Sequence, residues 1–366
     1  MKIKTITCHK VYNYGASLQE YALLKYLNNN GHTAETINYT PSYLSNHFNL
    51  AAISNPKYNT NWLVKFLYVI AKLPQRLPLL KRKKAFDIFE QKYISSTQVK
   101  YLTNEDLKKN LPDADAYICG SDQIWNSFFQ NGKDPAFYLD FVPEDKLKIS
   151  YAASFAIDEI EDGLKNFVKE KVSRINYVSV RENSGVKILN KLGLKNIEEV
   201  LDPVFLLNAQ HWIDNFVTPI KENYIFVYDC DANEQIKNIV KETSKRYHLK
   251  IYTVNQNIKY AHKNYYQKGP KTFLSLIYGA SFVVSNSFHA VAFSLIFNKL
   301  FFVVDRNENI NTRMRDIMNM VGLSNLHLGK DEYKTFDKVQ IDYKKVNEIL
   351  KSKIKESNSF LNNALS

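Results

Sequence analysis

The sequence predicts an α/β protein of two domains, with parallel sheets covered by helices on both faces and a cleft between the domains. Three observations carry this expectation. Short apolar segments alternate with helix-period segments along most of the chain, the pattern of parallel strands joined by crossover helices. The alternation restarts near residue 215. At 366 residues the chain exceeds one ordinary core and suits two.

The elements follow in order from periodicity and breakers. "IKTITC" (3–8) is apolar enough for a buried first strand, and "ASLQEYALLKYLNNNG" (16–31) has helical spacing with Gly31 as its C-cap. "TAETINY" reads as a second strand. "AYICG" (116–120), "KISYAASFA" (148–156), "YVSVRE" (177–182) and "IEEVLD" (197–202) follow as strands, with helices at 161–174 and 183–193. Beyond residue 215, "NYIFVYD" (223–229), "KIYTV", "FVVS" and "KLFFVVD" read as strands. Helices are expected at 233–246, over "TFLSLIYGA", from about residue 289 and at 311–321. The expected domains are 1–214 and 215–340, with a closing helix at 341–366 that packs back on the first domain. Ligands of such folds gather at the C-terminal ends of the strands, so the cleft is the expected site.

One segment stands outside the alternation and marks an insertion in the first domain at about 57–96. In "NWLVKFLYVIAKLPQRLPLLKRKK" (61–84), Trp62, Phe66, Val69, Ile70 and Leu73 share one helical face, while Lys65 and Lys72 lie opposite. Arg76 and the cluster Lys81, Arg82, Lys83, Lys84 follow. The apolar part is too short to span a bilayer. Two readings stand: a helix buried between the domains, or a basic amphipathic helix lying on an anionic membrane surface.

Composition narrows the function classes. Hydrophobic residues at 45% and charged residues at 23% are the balance of a soluble globular protein. The N-terminal stretch has no apolar run of signal-peptide length, so a cytoplasmic protein is expected. Cys8, Cys119 and Cys230 lie far apart without a CxxC pair, so they read as reduced thiols. The eight histidines show neither HxH nor HExxH spacing, and a protein-built metal site is not expected. The formal charge of +12 favours anionic partners, although a lysine-rich composition accounts for it equally. Nucleic acid is not the expected partner, because no RNP strand, basic heptad or finger spacing accompanies the charge.

Four stretches carry residues suited to chemistry. In "VVSNSFHAVAFSLIFNKLFFVV" (283–304), a strand gives way to Ser285, Asn286 and Ser287, and a helix begins around Phe288. Free N–H groups at such a helix mouth suit an anion, and His289 in the first turn is able to exchange a proton with it. The plainer reading is a capped helix with a satisfied core histidine. "VYNYGASLQEYAL" runs through Asn13, Tyr14 and Gly15 directly into a helix, where Gly15 permits close approach and Gln19 offers an amide. It lacks the full GxGxxG spacing. "AYICGSDQIWN" ends its strand on Asp122, which suits a base for a sugar hydroxyl or a plain N-cap. "YVSVRENSG" ends its strand on Arg181, which suits a carboxylate or phosphate, or an ion pair with Glu182.

Taken together, "NYGASLQEYAL", "GSDQIWN", "ISYAASFA", "SVRENS", "LDPVFLL" and "SNSFHAVAFSLIFNKLFFVV", in that order, resemble the bacterial polysaccharide pyruvyl transferase family. The resemblance spans about residues 10–325. It implies a fold like the GT-B glycosyltransferases, with two Rossmann-like halves facing a cleft. It also implies transfer of the enolpyruvyl unit of phosphoenolpyruvate onto sugar hydroxyls, giving a pyruvate ketal, with phosphoenolpyruvate as co-substrate and no further cofactor. On this resemblance His289 is the general acid, and Asp122 accepts a proton from the attacking hydroxyl. Ser285, Asn286, Ser287 and Arg181 hold the donor's anionic groups, and Asn13, Tyr14, Gly15 and Gln19 line the acceptor side. Better-known members carry Arg-x-His where this chain has Ser287-Phe288-His289. Arg306, Arg313 and Arg315 are the candidates to replace that cation, and Arg313 is the choice.

The expected acceptor is a sugar of a polysaccharide or of its lipid-linked precursor, made during capsule or cell-wall synthesis. The segment 61–84 would then bring a cytoplasmic enzyme to the inner face of the plasma membrane. Two other readings stay open. A GT-B glycosyltransferase using a nucleotide sugar would need an acid for the ribose, with Asp229 and Asp305 as candidates. A non-catalytic glycan-binding partner in a biosynthetic complex would tolerate loss of His289.

Overall fold

The computed structural model describes residues 1–45, 50, 53, 58, 60–330 and 332–366. In the first half, β1 (Lys2–Ile6) leads into α1 (Tyr14–Asn29), β2 (Thr33–Tyr39) and the single turn α2 (Ser42–Ser45). The long helix α3 (Trp62–Tyr93) precedes β3 (Ser96–Tyr101), α4 (Asn104–Lys109) and β4 (Ala116–Cys119). Then come β5 (Leu147–Ala153), α5 (Asp162–Ser173), β6 (Tyr177–Val180), α6 (Asn183–Lys191) and β7 (Ile197–Glu199). After α7 (Ala209–Phe216), the second half holds β8 (Tyr224–Tyr228), α8 (Glu234–Tyr247), β9 (Lys250–Thr253) and β10 (Lys263–Asn264). It continues with α9 (Pro270–Gly279), β11 (Phe282–Ser285), α10 (Phe288–Ile296), β12 (Leu300–Val304), α11 (Thr312–Met320) and β13 (His327–Leu328). The helix α12 (Tyr343–Ala364) closes the chain.

Among the described residues the strands form two parallel sheets, ordered β3-β2-β1-β4-β5-β6-β7 and β10-β9-β8-β11-β12-β13. Each sheet starts in its middle, grows to one side, and then resumes on the other. The reversal falls between β1 and β4 in one sheet, where Ile6 pairs with Cys119, and between β8 and β11 in the other, where Tyr228 pairs with Ser285. Neighbouring loops diverge at such a point and leave a crevice beyond the strand ends. β4 and β8 are buried at every position, as parallel strands covered on both faces must be.

The halves are joined by more than the covalent crossover. α10 is apolar nearly all round because it sits between the sheets, with Phe293 edge-on to Trp212 at 5.0 Å. α12 begins on the second half, where the Tyr343 hydroxyl donates to the Lys299 carbonyl. It ends on the first, where Ser357 Oγ accepts from the Leu201 N–H at 2.9 Å and Phe360 lies beside Tyr151. Arg315 grips Asp158 with two bonds of 2.7 and 2.9 Å, and Asp316 accepts from the Ser184 N–H at 2.8 Å.

The two ends of α3 differ in burial. Its C-terminal part is buried at Arg82, Phe86 and Phe89. There Arg82 donates to the Tyr14 hydroxyl and to the Tyr12 and Asn255 carbonyls, spanning both halves. Its N-terminal part is exposed along one apolar face. The helix also runs through Pro74 and Pro78 to Tyr93, nine residues past the expected Lys84. Residues 57 and 59 of the expected insertion lie outside the described residues. No described helix is long and apolar enough to cross a membrane.

Candidate active site

The crevices of the two sheets face each other, and the side chains that meet there come from separate strand ends. Arg181 follows β6, Asp122 follows β4, and Asp202 follows β7. His289 lies in the first turn of α10, and Arg313 in the first turn of α11. All except Asp122 are buried, and Asp122 is nearly so, with its side chain 15% exposed.

Asp202 organises the cluster. Its Oδ2 accepts from Arg181 Nη1 at 2.6 Å and from Ser121 Oγ at 3.1 Å, and lies 3.6 Å from His289 Nε2. Its Oδ1 accepts from the Val204 N–H, which fixes the carboxylate plane. Burial alone would raise this carboxyl, but His289 and Arg181 together hold it well below the usual carboxylate range. The turn carrying Ser121 is itself braced. Gln19 Oε1 accepts from the Ser121 N–H, Gln19 Nε2 donates to Thr7 Oγ1, and Thr7 donates to the Ser121 carbonyl.

The two guanidiniums flank one ring. Arg181 stacks on Phe288 with 4.4 Å to the centroid, and Arg313 approaches the same ring at 5.9 Å. Asp122 lies between them, 3.7 Å from Arg181 and 3.8 Å from Arg313. Burial and the neighbouring Arg181 push Arg313 down to about 10. Arg181 Nε and Nη2, Arg313 Nε, His289 Nε2 and Glu182 Oε2 are all buried without a hydrogen-bond partner. Such a concentration of unsatisfied polar atoms is costly unless a ligand uses it. Glu182 Oε1 is saturated by Ser154 Oγ and the Phe155 and Ala156 N–H groups, and burial raises its carboxyl.

The histidine is placed by a glycine. Gly15 opens α1 directly against the imidazole, so a Cβ there would lie 1.9 Å from His289 Nδ1. Asn13 caps the same helix, with Oδ1 accepting from the Gly15 and Ala16 N–H groups at 2.9 and 3.3 Å.

Several expected contacts are different in the structure. Tyr14 does not line an acceptor surface: its hydroxyl is buried, donating to the Val254 and Lys268 carbonyls and accepting from Arg82. Gln19 is fully buried under the Ser121 turn. Ser285 Oγ donates to the Tyr228 carbonyl and accepts from the Ser287 N–H, and Asn286 is spent on Cys230, Asp229 and Asp231. These two residues shape the loop before α10, which leaves Ser287, the half-buried N-cap, as the hydroxyl nearest the cluster by sequence. Of the three arginines considered for the missing cation, Arg315 is held by Asp158 and Arg306 pairs with Glu308, while Arg313 reaches the cluster.

A model of the family described as polysaccharide pyruvyl transferase matches residues 13–308. The chain belongs to that family. It is therefore a transferase of polysaccharide synthesis, and Asp122, Arg181, Asp202 and His289 all fall within the matched region, with Arg313 just beyond it. No curated protein matches the chain. Solved structures match it in fold. Arabidopsis thaliana UGT89C1 complexed with UDP-L-rhamnose aligns with a TM-score of 0.51 at 10% identity, covering 99% of this chain and 97% of that one. UDP-GlcNAc 2-epimerase from Neisseria meningitidis bound to UDP-GlcNAc aligns with a TM-score of 0.49 at 10% identity, covering 100% and 94%. The two-sheet, Rossmann-like GT-B architecture expected from the sequence is the one the chain has.

Proposed function

We propose that the donor is phosphoenolpyruvate and that its enolpyruvyl unit passes to two hydroxyls of one sugar, giving a cyclic pyruvate ketal. The observation that carries this reading is the pair Arg181 and Arg313 around Phe288. Arg181 has an acid in contact at 2.6 Å, whereas the nearest acid to Arg313 stands off at 3.8 Å. A ligand with both a carboxylate and a phosphate would supply the close anion that Arg313 lacks and acceptors for the partnerless Arg181 Nε and Nη2.

The chemistry then uses the groups at hand. His289 Nε2, which has no hydrogen-bond partner, donates a proton to C3 of the donor, and positive charge develops at C2. Asp202, 3.6 Å from that nitrogen, orients the ring. The first sugar hydroxyl attacks C2 while Asp122 accepts its proton. The bond from C2 to the phosphate oxygen breaks, and phosphate departs with the electron pair and the proton that Asp122 had accepted. The second hydroxyl adds to C2 and closes the ring, giving its proton to His289 and so restoring the acid. Because the cluster is buried where the halves meet, the halves must part for the donor to reach it. The acceptor is a sugar of a polysaccharide or its lipid-linked precursor, met on the Asn13 side of the cleft.

The nucleotide-sugar reading finds less support in its two candidate acids. Asp229 accepts from the Asp231 and Asn233 N–H groups, and Asp305 pairs with His327 at 2.7 Å. Calorimetry of the purified protein with phosphoenolpyruvate, beside UDP- and GDP-sugars, tests the choice. Saturable phosphoenolpyruvate binding is expected, with Arg313→Ala weakening it about ten- to a hundredfold, the range of a charged hydrogen bond. Binding of a nucleotide sugar with no response to phosphoenolpyruvate would overturn the reading.

A further inference from the structure

The first four turns of α3 turn apolar side chains to the outside. Trp62 is 77% exposed, Leu63 49%, Phe66 55%, Leu67 56%, Ile70 46% and Leu77 51%. At 3.6 residues per turn these six fall within roughly 140° of the helix circumference. The same face continues through exposed Lys81, Lys84 and Ile88. Ile88 then lines a cavity of about 340 Å³ with Phe89 and Tyr93, and exposed Lys92, Lys268 and Lys271 stand around it. Between Asn61 and Phe86 the sequence has no acidic residue.

We propose that this face docks on the surface of an anionic lipid bilayer. A contiguous exposed apolar patch of this kind marks an interaction surface. Its charge selects the occupant. The lysines continue the apolar stripe without an intervening acid, which suits lipid phosphates below an acyl layer. A second copy of the chain would meet the face with the same lysines and no acid to pair them. The exposed part, Trp62–Leu77, spans about 24 Å and lies along the surface, in keeping with the lack of a described helix able to cross. Further along the same helix, Arg82 holds the Tyr14 hydroxyl at 3.0 Å and the Tyr12 carbonyl at 3.2 Å. The docking face is thus tied to the segment whose Gly15 abuts His289, which places the cleft beside the membrane. This inference deepens the proposal of a lipid-linked acceptor and rests on it only for its purpose, since binding is read without turnover.

The test is co-sedimentation of the full-length protein with vesicles of phosphatidylcholine alone and of phosphatidylcholine mixed with phosphatidylglycerol. Binding to the mixed vesicles is expected, weakening as salt rises. Phe66→Asp/Ile70→Asp should lower the partition coefficient about a hundredfold, roughly tenfold for each buried side chain lost. Lys81→Glu/Lys84→Glu should cost at least about fivefold per lysine and flatten the salt dependence. Both variants alter exposed residues, so circular dichroism and melting should match the parent. Failure to sediment with the mixed vesicles would overturn the proposal, and so would equal binding to both vesicle types. It would also be overturned by a wild-type dimer that Phe66→Asp/Ile70→Asp converts to monomer, because a second copy would then cover the face. None of these outcomes touches phosphoenolpyruvate binding by calorimetry, so the two proposals fail separately.

Discussion

Replacing Gly15 by alanine asks whether the imidazole of His289 must sit where α1 begins. The added Cβ would lie 1.9 Å from Nδ1, 2.2 Å from Cγ and 2.5 Å from Cε1. Ordinary contact begins near 3.4 Å, so the ring must retreat by about 1.5 Å, the difference between that distance and the 1.9 Å contact. It has little room to do so, because α10 is buried on all sides and Phe288 stands edge-on to the ring at 5.2 Å. A displacement of ~1 Å in a catalytic group costs on the order of a hundredfold in rate. The stability change is smaller: alanine gains up to about 1 kcal/mol of helix propensity over glycine, against roughly 1–3 kcal/mol for overpacking. Phosphate release from phosphoenolpyruvate in the presence of acceptor should therefore fall about a hundredfold in kcat. Donor affinity should stay within about threefold of wild type, since both guanidiniums remain in place. The decisive measurement is the double variant. In a His289→Ala background the clash is gone, and Gly15→Ala should then cost less than about twofold. Retained activity in Gly15→Ala, or an equal loss in both backgrounds, would refute the coupling of Gly15 to His289.

Two stability predictions follow from the same electrostatics. Asp202→Asn leaves Arg181 buried with Asp122 and Glu182 only at 3.7 and 3.8 Å, so unfolding in urea at pH 7 should show a loss of about 3 kcal/mol. Because the folded-state carboxyl is held below its unfolded value, that difference should be full above about pH 4 and shrink as the pH falls further; a gap unchanged at pH 3 would contradict it. Asp140 is raised by burial, but hydrogen bonds from Lys108, Lys171 and Asn104 bring it down to about 2. Asp140→Asn should therefore destabilise by ~2 kcal/mol at neutral pH, with the effect present above about pH 4 and lost as the pH approaches the folded value. Urea midpoints across pH 2–7 for both proteins check the sign, and a gap that widens in acid would reverse the assignment.

The parts of the fold that were legible in the sequence are those whose burial leaves a one-sided chemical mark. "AYIC", "YIFVY" and "FVVS" are almost wholly apolar because the sheets cover them on both faces, and all three are strands. β3 escaped notice because it is an edge strand, "STQVKY", with three consecutive exposed residues and no apolar run. β10 and β13 are two-residue edges, too short to leave a period. α3 was legible as a helix over 61–84 although Pro74 and Pro78 lie inside it, but its continuation to Tyr93 was not. For the candidate site, the sequence reading named Arg181, Asp122 and His289, which the structure brings into one cluster. It could not find the role of Asp202, whose Asp-Pro step reads as an ordinary cap and whose partners are distant in sequence. It also misread Tyr14 and Gln19, since a polar side chain near a helix start looks the same whether it faces a cleft or braces a turn.

On the proposed reading, the distribution of charge between the halves would link donor binding to closure. Arg181, Asp122 and Asp202 all belong to the first half, so Arg181 is already neutralised there by its 2.6 Å contact with Asp202. The second half contributes Arg313 and His289, and among the described residues the acids within ion-pair reach of them are Asp122 at 3.8 Å and Asp202 at 3.6 Å. Bringing the halves together thus carries a cation into a region whose acids are already engaged, and burial lowers the affinity of Arg313 for its proton accordingly. On the proposed reading, a multiply anionic donor seated first on Arg181 would turn this unfavourable approach into an attractive one. The ties between the halves at Arg315–Asp158 and Asp316–Ser184 flank that approach without neutralising it, since each satisfies its own charge or N–H. Donor capture and assembly of the His289 acid are then one event, which keeps the proton donor away from C3 until the enol is held in place.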